Sequence, residues 1–223
     1  MSSKPELKLD WATHEAAKYA CQNWHYSGCL PVGKLVKVGV WENGKYIGVV
    51  LFSRGANNNI LRPYRLTQLE GCELTRIALD EHISPVSKIV SVALKFIKQQ
   101  SPGLRLIISY TDPEQGHHGG IYQAGNWVYD GRSQAQRAVM HNGKIMHKRT
   151  ATALFGIIKG MEKSKKLWKH RYLMPLDKEM AEQIKPLAKP YPKREKQAMA
   201  CPQAQRRGSA DLHAPKQTEL IKE

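Results

Sequence analysis

The sequence predicts a mixed α+β/α/β fold: a central mixed sheet with one parallel strand pair, flanked by helices and followed by a basic tail. Three observations carry this. Asn43-Gly44 sits between two apolar runs, the pair that a two-residue hairpin turn prefers because both of its positions need positive φ. Residues 72–79, a helical stretch opened by Ser84-Pro85, and the apolar run from Leu104 read as strand, helix and strand, a crossover that sets the two strands parallel. From residue 185 onward Pro, Lys, Arg, Gln and Ala dominate, with few apolar side chains to bury. The predicted division is a domain over 1–184 and a disordered basic tail over 185–223.

Taken in order, Asp10 or Thr13 can cap a helix running through Ala16, Ala17 and Ala20 to about Trp24, where His25-Tyr26-Ser27-Gly28 ends it. Strands over 35–42 and 45–52 form the hairpin, 55–68 has loop composition, and 72–79 alternates between two faces. Ser84 supplies a cap and Pro85 a first-turn proline. Val86, Ile89, Val90, Ala93, Leu94 and Ile97 then recur on one helix face until Ser101-Pro102-Gly103 stops it. A strand over 104–110 follows. Short strands are expected at 127–129 and 138–140, with Asn142-Gly143 turning into 144–146 and continuing the sheet antiparallel. Thr150 can cap a last helix through Leu154, Ile157, Ile158 and Met161, before a strand over 170–174.

The bulk composition bounds the function. With 35 Lys and Arg against 19 Asp and Glu among 223 residues, the formal charge is +16, a field that attracts polyanions and points to nucleic acid as partner. No apolar stretch approaches the length that spans a bilayer, which argues against a membrane protein. The polar opening lacks a signal peptide's apolar core, and the four cysteines show no CxxC spacing. Both features fit a reducing cytoplasm and argue against a zinc knuckle.

The densest chemistry lies just past the second strand of the crossover. Ser109, Asp112, His117, His118 and Tyr122 bring hydroxyl, carboxylate, imidazoles and phenol to one strand exit, enough for acid and base work near neutral pH. Ligands of open α/β sheets collect at this edge. Gly119 and Gly120 offer bare backbone N–H groups to an oxyanion. Glu73 and Arg76 sit at odd separation on the neighbouring strand, so both can face the cleft only if a bulge intervenes; Glu73 is the choice. His25, Tyr26 and Ser27 form a second polar cluster, as readily a capping turn as a binding site. His25, Asp112, His117 and His118 also make an N/O donor set for iron or zinc, although their spacing matches no helix-borne ligand pattern.

The segments 24–28, 73–76 (Glu-Leu-Thr-Arg), 109–112 (Ser-Tyr-Thr-Asp) and the glycine- and histidine-rich run 116–127 together resemble the Mom family of phage DNA-modification proteins, over most of the chain to about Met174. The resemblance implies a GNAT-like fold and an enzyme that converts DNA adenine to a form bearing a carbamoylmethyl group on N6. In the host cytoplasm this shields phage DNA from restriction. Such a transferase must swing adenine out of the duplex and hold it between flat side chains, for which Tyr26, Tyr64, Tyr122 and Trp127, with Asn126 beside the last, are candidates. Asp112, His117 or His118 would take the N6 proton, and Lys163, Lys165, Lys166, Lys169 and Arg171 would grip phosphates of double-stranded DNA without reading sequence.

The donor is left between two candidates. GNAT acyltransferases cradle the coenzyme A pyrophosphate in a glycine-rich turn before a helix, but residues 80–88 hold no glycine, a proline without N–H, and the acids Asp80 and Glu81. Ser84, Ser87 and Lys88 can still hold one phosphate. An acetyl group from acetyl-coenzyme A carries no nitrogen for the CH2-CO-NH2 product, whereas an activated glycyl group does, with glycyl-tRNA as its carrier and tRNA as a second polyanionic partner. The competing classes are a non-enzymatic basic nucleic-acid-binding protein and a metal-dependent nuclease using His117 and His118.

Overall fold

Asn43 and Gly44 both take positive φ, 51° and 79°, and the strands they join, β2 (Leu35–Glu42) and β3 (Lys45–Ser53), pair antiparallel as the turn requires. The computed structural model describes residues 4–55, 57–113, 116–134, 138–141, 144–147, 152, 156, 162–163 and 168–193. β2 pairs on its other side with β1 (Leu7–Trp11), a strand the sequence reading missed; Asp10 lies in it, and Thr13 alone caps the next helix by accepting from the Ala16 N–H.

The crossover forms as predicted. β4 (Gly71–Leu79), helix α2 (Val86–Gln100) and β5 (Leu106–Thr111) put β4 and β5 side by side and parallel. The cap is the correction: α2 begins after Pro85, which makes no side-chain cap bond, so Ser84 lies ahead of the cap position. The backbone N–H groups of Ile83 and Ser84 instead point at the buried carboxylate of Glu42, at 2.7 and 2.8 Å.

Strand alternation sets the layers. On β3, Val50 and Phe52 face the stripe Ile89, Val90, Ala93, Leu94 and Ile97 of α2, while Val49 and Leu51 face Ala17, Ala20 and Cys21 of α1 (His14–Trp24). The two helices therefore cover opposite faces of the sheet. A short helix α3 (Gly120–Ala124) precedes β6 (Val128–Gln134). The late strand β10 (Trp168–Pro175) inserts between β5 and β6, giving the order β1-β2-β3-β4-β5-β10-β6, antiparallel except at β4-β5. This is a mixed sheet with one parallel pair, flanked by helices.

The strands expected on either side of Asn142-Gly143 pair antiparallel but leave the main sheet, and those two residues lie outside the described ones. Strands β7 (Ala138–His141), β8 (Lys144–His147) and β9 (Glu162–Lys163) form a separate sheet, in the order β8-β7-β9. The helix expected from Thr150 lies outside the described residues apart from Thr152 and Gly156. After β10 an unpredicted helix α4 (Lys178–Ile184), capped by Asp177, buries Met180 and Ile184 against Leu106, Ile108 and Leu173. The predicted tail is held to the domain well past 185: Lys189 N–H donates to the Tyr129 carbonyl, and the Tyr191 hydroxyl to that of Trp127. Residues 194–223 lie outside the described residues.

Candidate active site

The site begins where a parallel ladder stops. β4 and β5 pair only from Gly71 opposite Leu106 to Leu74 opposite Ser109; beyond that β4 continues with β3 and β5 with β10, so the two strands part. A fork leaves the Leu74 carbonyl without a strand partner on that side, and a buried carbonyl needs one. The Ser109 hydroxyl supplies it at 2.9 Å, with the Tyr122 phenol oxygen 2.7 Å away. Because a carbonyl only accepts, Ser109's single proton goes to Leu74 and Tyr122 donates to Ser109. Ser109 is fully buried and locks the fork, which corrects its predicted place among the reacting groups. Burial pushes the Tyr122 phenol up to about 12, so it stays neutral at physiological pH.

Above the lock the strands enclose a cleft of about 720 Å3. β5 and the loop after it contribute Tyr110, Thr111, Asp112, His117 and His118, with Gly119, Gly120 and Tyr122 behind them. β4 contributes both Glu73 and Arg76. Pairing with β3 jumps from Leu51–Arg76 to Phe52–Leu74, so Thr75 is the extra residue of a bulge, the condition under which both can line one cleft. Trp24, His25 and Tyr26 close the third side, where the end of α1 is tied down by a hydrogen bond from the Arg76 guanidinium to the Cys29 carbonyl.

The loop after β5 is fixed by β10. The Tyr172 hydroxyl donates to the His118 carbonyl at 2.7 Å, and Gly119 sits at φ 84° over the Tyr172 ring. A Cβ there would lie 2.4 Å from the ring, so this position admits only glycine. Upstream, the His117 N–H donates to the Asp112 carbonyl, and its ring meets Tyr26 edge-on with centroids 5.4 Å apart.

His25 has a defined proton. Its Nδ1 accepts the Ser27 N–H at 3.1 Å and lies 2.8 Å from the Ser27 hydroxyl. A backbone N–H can only donate, so neutral His25 carries its hydrogen on Nε2. Burial, reinforced by the charge of Arg76 and by His117, lowers its pKa to about 4. Ser27 therefore orients His25 without lining the cleft. With a folded value of about 4 against 6.5 for an unperturbed imidazole, the unfolded chain takes up this proton first as pH falls. The contribution to stability is full above about 6.5 and is lost towards 4. Thermal midpoints of wild type and His25→Gln measured across that window are expected to converge as the pH drops; a constant difference would overturn the assignment.

Other predicted residues lie elsewhere. Tyr64 is 2% exposed and donates to Asp130 at 2.8 Å, so it cannot stack on a base. Trp127, 1% exposed, packs edge-on against Tyr122 in the core, and Asn126 is a left-handed turn residue beside it, away from the cleft. Arg171 is paired with buried Asp130 at 2.6 Å and so is committed to the interior. Lys169 does line the cleft. Lys165 and Lys166 lie outside the described residues, as does the Lys163 side chain. Among the described residues no group of three or more His, Cys, Asp or Glu could hold a metal ion, so the set His25, Asp112, His117 and His118 is not assembled as one. Among them, too, no helix is long and apolar enough to cross a membrane.

The sequence reading missed Trp24, Thr75 and Tyr110 as lining residues. Tyr110 stood in the quoted Ser-Tyr-Thr-Asp run, but a strand buried on both faces gives no alternation to show which side chain turns towards a cleft.

Comparison with known proteins places the chain. The model of the Mom protein family matches residues 6–193. The methylcarbamoylase mom of Escherichia phage Mu is 27% identical over 153 residues, covering 67% of this chain and 63% of that protein, less than two thirds of its length. Among solved structures, a putative acetyltransferase from Acinetobacter baylyi superposes with a TM-score of 0.45 at 10% identity, covering 79% of this chain and 96% of the other. A Bacillus subtilis acetyltransferase in complex with CoA gives 0.41 at 13%, covering 78% and 99%.

Proposed function

The chain belongs to the Mom protein family, and from that premise we propose that it is a DNA-modifying transferase that builds a carbamoylmethyl group on N6 of adenine in phage DNA, protecting it from host restriction. The observation that carries the reading is the cleft above the fork, where carboxylates, imidazoles and aromatic rings converge on rigid strand ends.

An adenine swung out of the duplex would lie against Tyr26 and Tyr110, two flat side chains at the cleft. N6 is a weak nucleophile because its lone pair is delocalised into the ring. A proton must leave as its bond to the donor carbonyl forms, and Asp112, a cleft residue just past β5, would take it. The Nε2–H of neutral His25 would donate to the carbonyl oxygen as it gains charge. The leaving group departs with a proton, and Glu73 and Arg76 hold the reactants from the β4 side. Lys169 and the +16 charge supply phosphate contacts that do not read sequence.

Atom balance favours an activated glycyl donor. Glycyl transfer gives Ade-NH-CO-CH2-NH2. Attack of its free amine on ring carbon 6, followed by loss of the first nitrogen from that carbon, gives the isomeric Ade-NH-CH2-CO-NH2. Glycyl-tRNA supplies such a group. Labelled glycine should then enter the modified base with both carbons and its nitrogen; label delivered by acetate alone would exclude this donor.

Expression in bacteria, followed by digestion of plasmid DNA to nucleosides and mass analysis, tests the assignment. A new adenosine species is the expected result. Unmodified but nicked DNA would mean a nuclease, and intact unmodified DNA a non-enzymatic binder.

A further inference from the structure

The N-terminal end of a helix attracts anions because its first N–H groups are unpaired and its dipole is positive there. The end of α2 lies at the edge of the sheet to which β4 and β5 run, where a coenzyme A thioester aimed at the fork would set its pyrophosphate. In this chain an anion is already built into the turn just ahead of that end, on residues that precede the Pro85 cap. The last residue of β2, Glu42, reaches across to take the N–H of Ile83 at 2.7 Å and of Ser84 at 2.8 Å, one on each carboxylate oxygen. It is 6% exposed, and Ser84 1%.

Burial alone would raise the pKa of Glu42. The Ile83 N–H, the Ser84 hydroxyl and N–H, and His82 nearby overturn that and hold it below the ordinary carboxylate value, so it stays charged at neutral pH. A pyrophosphate arriving here would meet a carboxylate where it needs donors. Asp80 adds its own negative charge to the turn, although Lys45 pairs with it at 3.5 Å. The turn is also without the features that admit phosphate closely: no glycine occurs between 80 and 88, and Pro85 has no N–H to give. The residues present do not fit the pyrophosphate of coenzyme A.

We propose that Glu42 is an internal counter-anion that closes the turn ahead of α2 to phosphate, and that the activated acyl group reaches the fork on a carrier not anchored there by a diphosphate. This rests on the transferase reading above and narrows its donor. It also fixes a difference from any acyltransferase that grips coenzyme A at this turn: here the same backbone donors serve to hold β2 against the start of α2.

Titration calorimetry on the full chain tests it, with coenzyme A and inorganic pyrophosphate as probes. Wild type is expected to show no saturable binding of either at millimolar concentration, and coenzyme A is expected not to inhibit DNA modification in cell extract. Glu42→Ala frees the two N–H groups and should bind pyrophosphate at least about tenfold more tightly than wild type. Saturable binding of coenzyme A by wild type at the turn, lost when Ser84 is replaced by Pro, would overturn the proposal whether or not the Glu42 variant folds. If Glu42→Ala is unfolded by circular dichroism, Glu42→Gln, which keeps one acceptor and loses the charge, takes its place; a folded variant without the gain would also count against the proposal. The two readings fail separately. DNA modified with acetyl-coenzyme A as sole donor would end the donor inference and leave the transferase, while unmodified DNA with no coenzyme A binding would do the reverse.

Discussion

Asp112→Asn is expected to lower the rate of adenine modification by about 10²- to 10⁴-fold, the range over which a positioned base contributes, while leaving DNA binding and its salt dependence nearly intact. The substitution keeps shape and removes the proton-accepting charge at the point where β5 leaves the sheet. Its backbone carbonyl, which receives the His117 N–H, is untouched, so the loop should hold. Single-turnover modification alongside a DNA-binding titration separates the two effects. An Asn variant within a few-fold of wild type would move the base to Glu73, His117 or His118, all of which line the same cleft.

The second large effect is on stability. Asp130 is buried, receives the Tyr64 hydroxyl and pairs with Arg171 at 2.6 Å, joining the turn after β3 to β6 and β10. Asp130→Ala leaves a guanidinium whose side chain is only 25% exposed without its carboxylate. Breaking such a pair on one side costs about 3 kcal/mol, roughly a 10 °C fall in Tm for a chain of this size. The double variant Asp130→Leu, Arg171→Met removes both charges and should recover a large part of the loss. Equal losses in the single and double variants would show that packing, not the orphaned charge, sets the cost.

Much of this was readable in advance, for physical reasons. Asn43-Gly44 has one favoured geometry, and the apolar stripe of α2 has one period, so the hairpin and the crossover followed from local rules. The crossover then put the exit of β5 beside β4, and most of the predicted polar residues line one cleft because strand ends can converge nowhere else. What failed was facing. β5 is buried along nearly its whole length, so the sequence could not tell Ser109, turned inward to close the fork, from Tyr110, turned to the cleft. Tyr64 and Trp127 look like base-stacking walls in the sequence because aromaticity alone does not separate a core ring from an exposed one. Arg171 looks like a phosphate contact in the sequence because its partner Asp130 lies 41 residues away in the chain and becomes a neighbour only when β10 inserts beside β6. The bulge at Thr75, which lets Glu73 and Arg76 share the cleft, has no glycine or proline to announce it.

Photocrosslinking gives the most direct test of the cleft as the adenine site. Duplex DNA carrying a photoreactive adenine should attach to peptides containing Trp24 to Cys29 or Tyr110 to Tyr122, and the attachment should be lost when Tyr26 and Tyr110 are both replaced by alanine. Attachment confined to the lysines beside α2, or to the chain beyond 193, would contradict it.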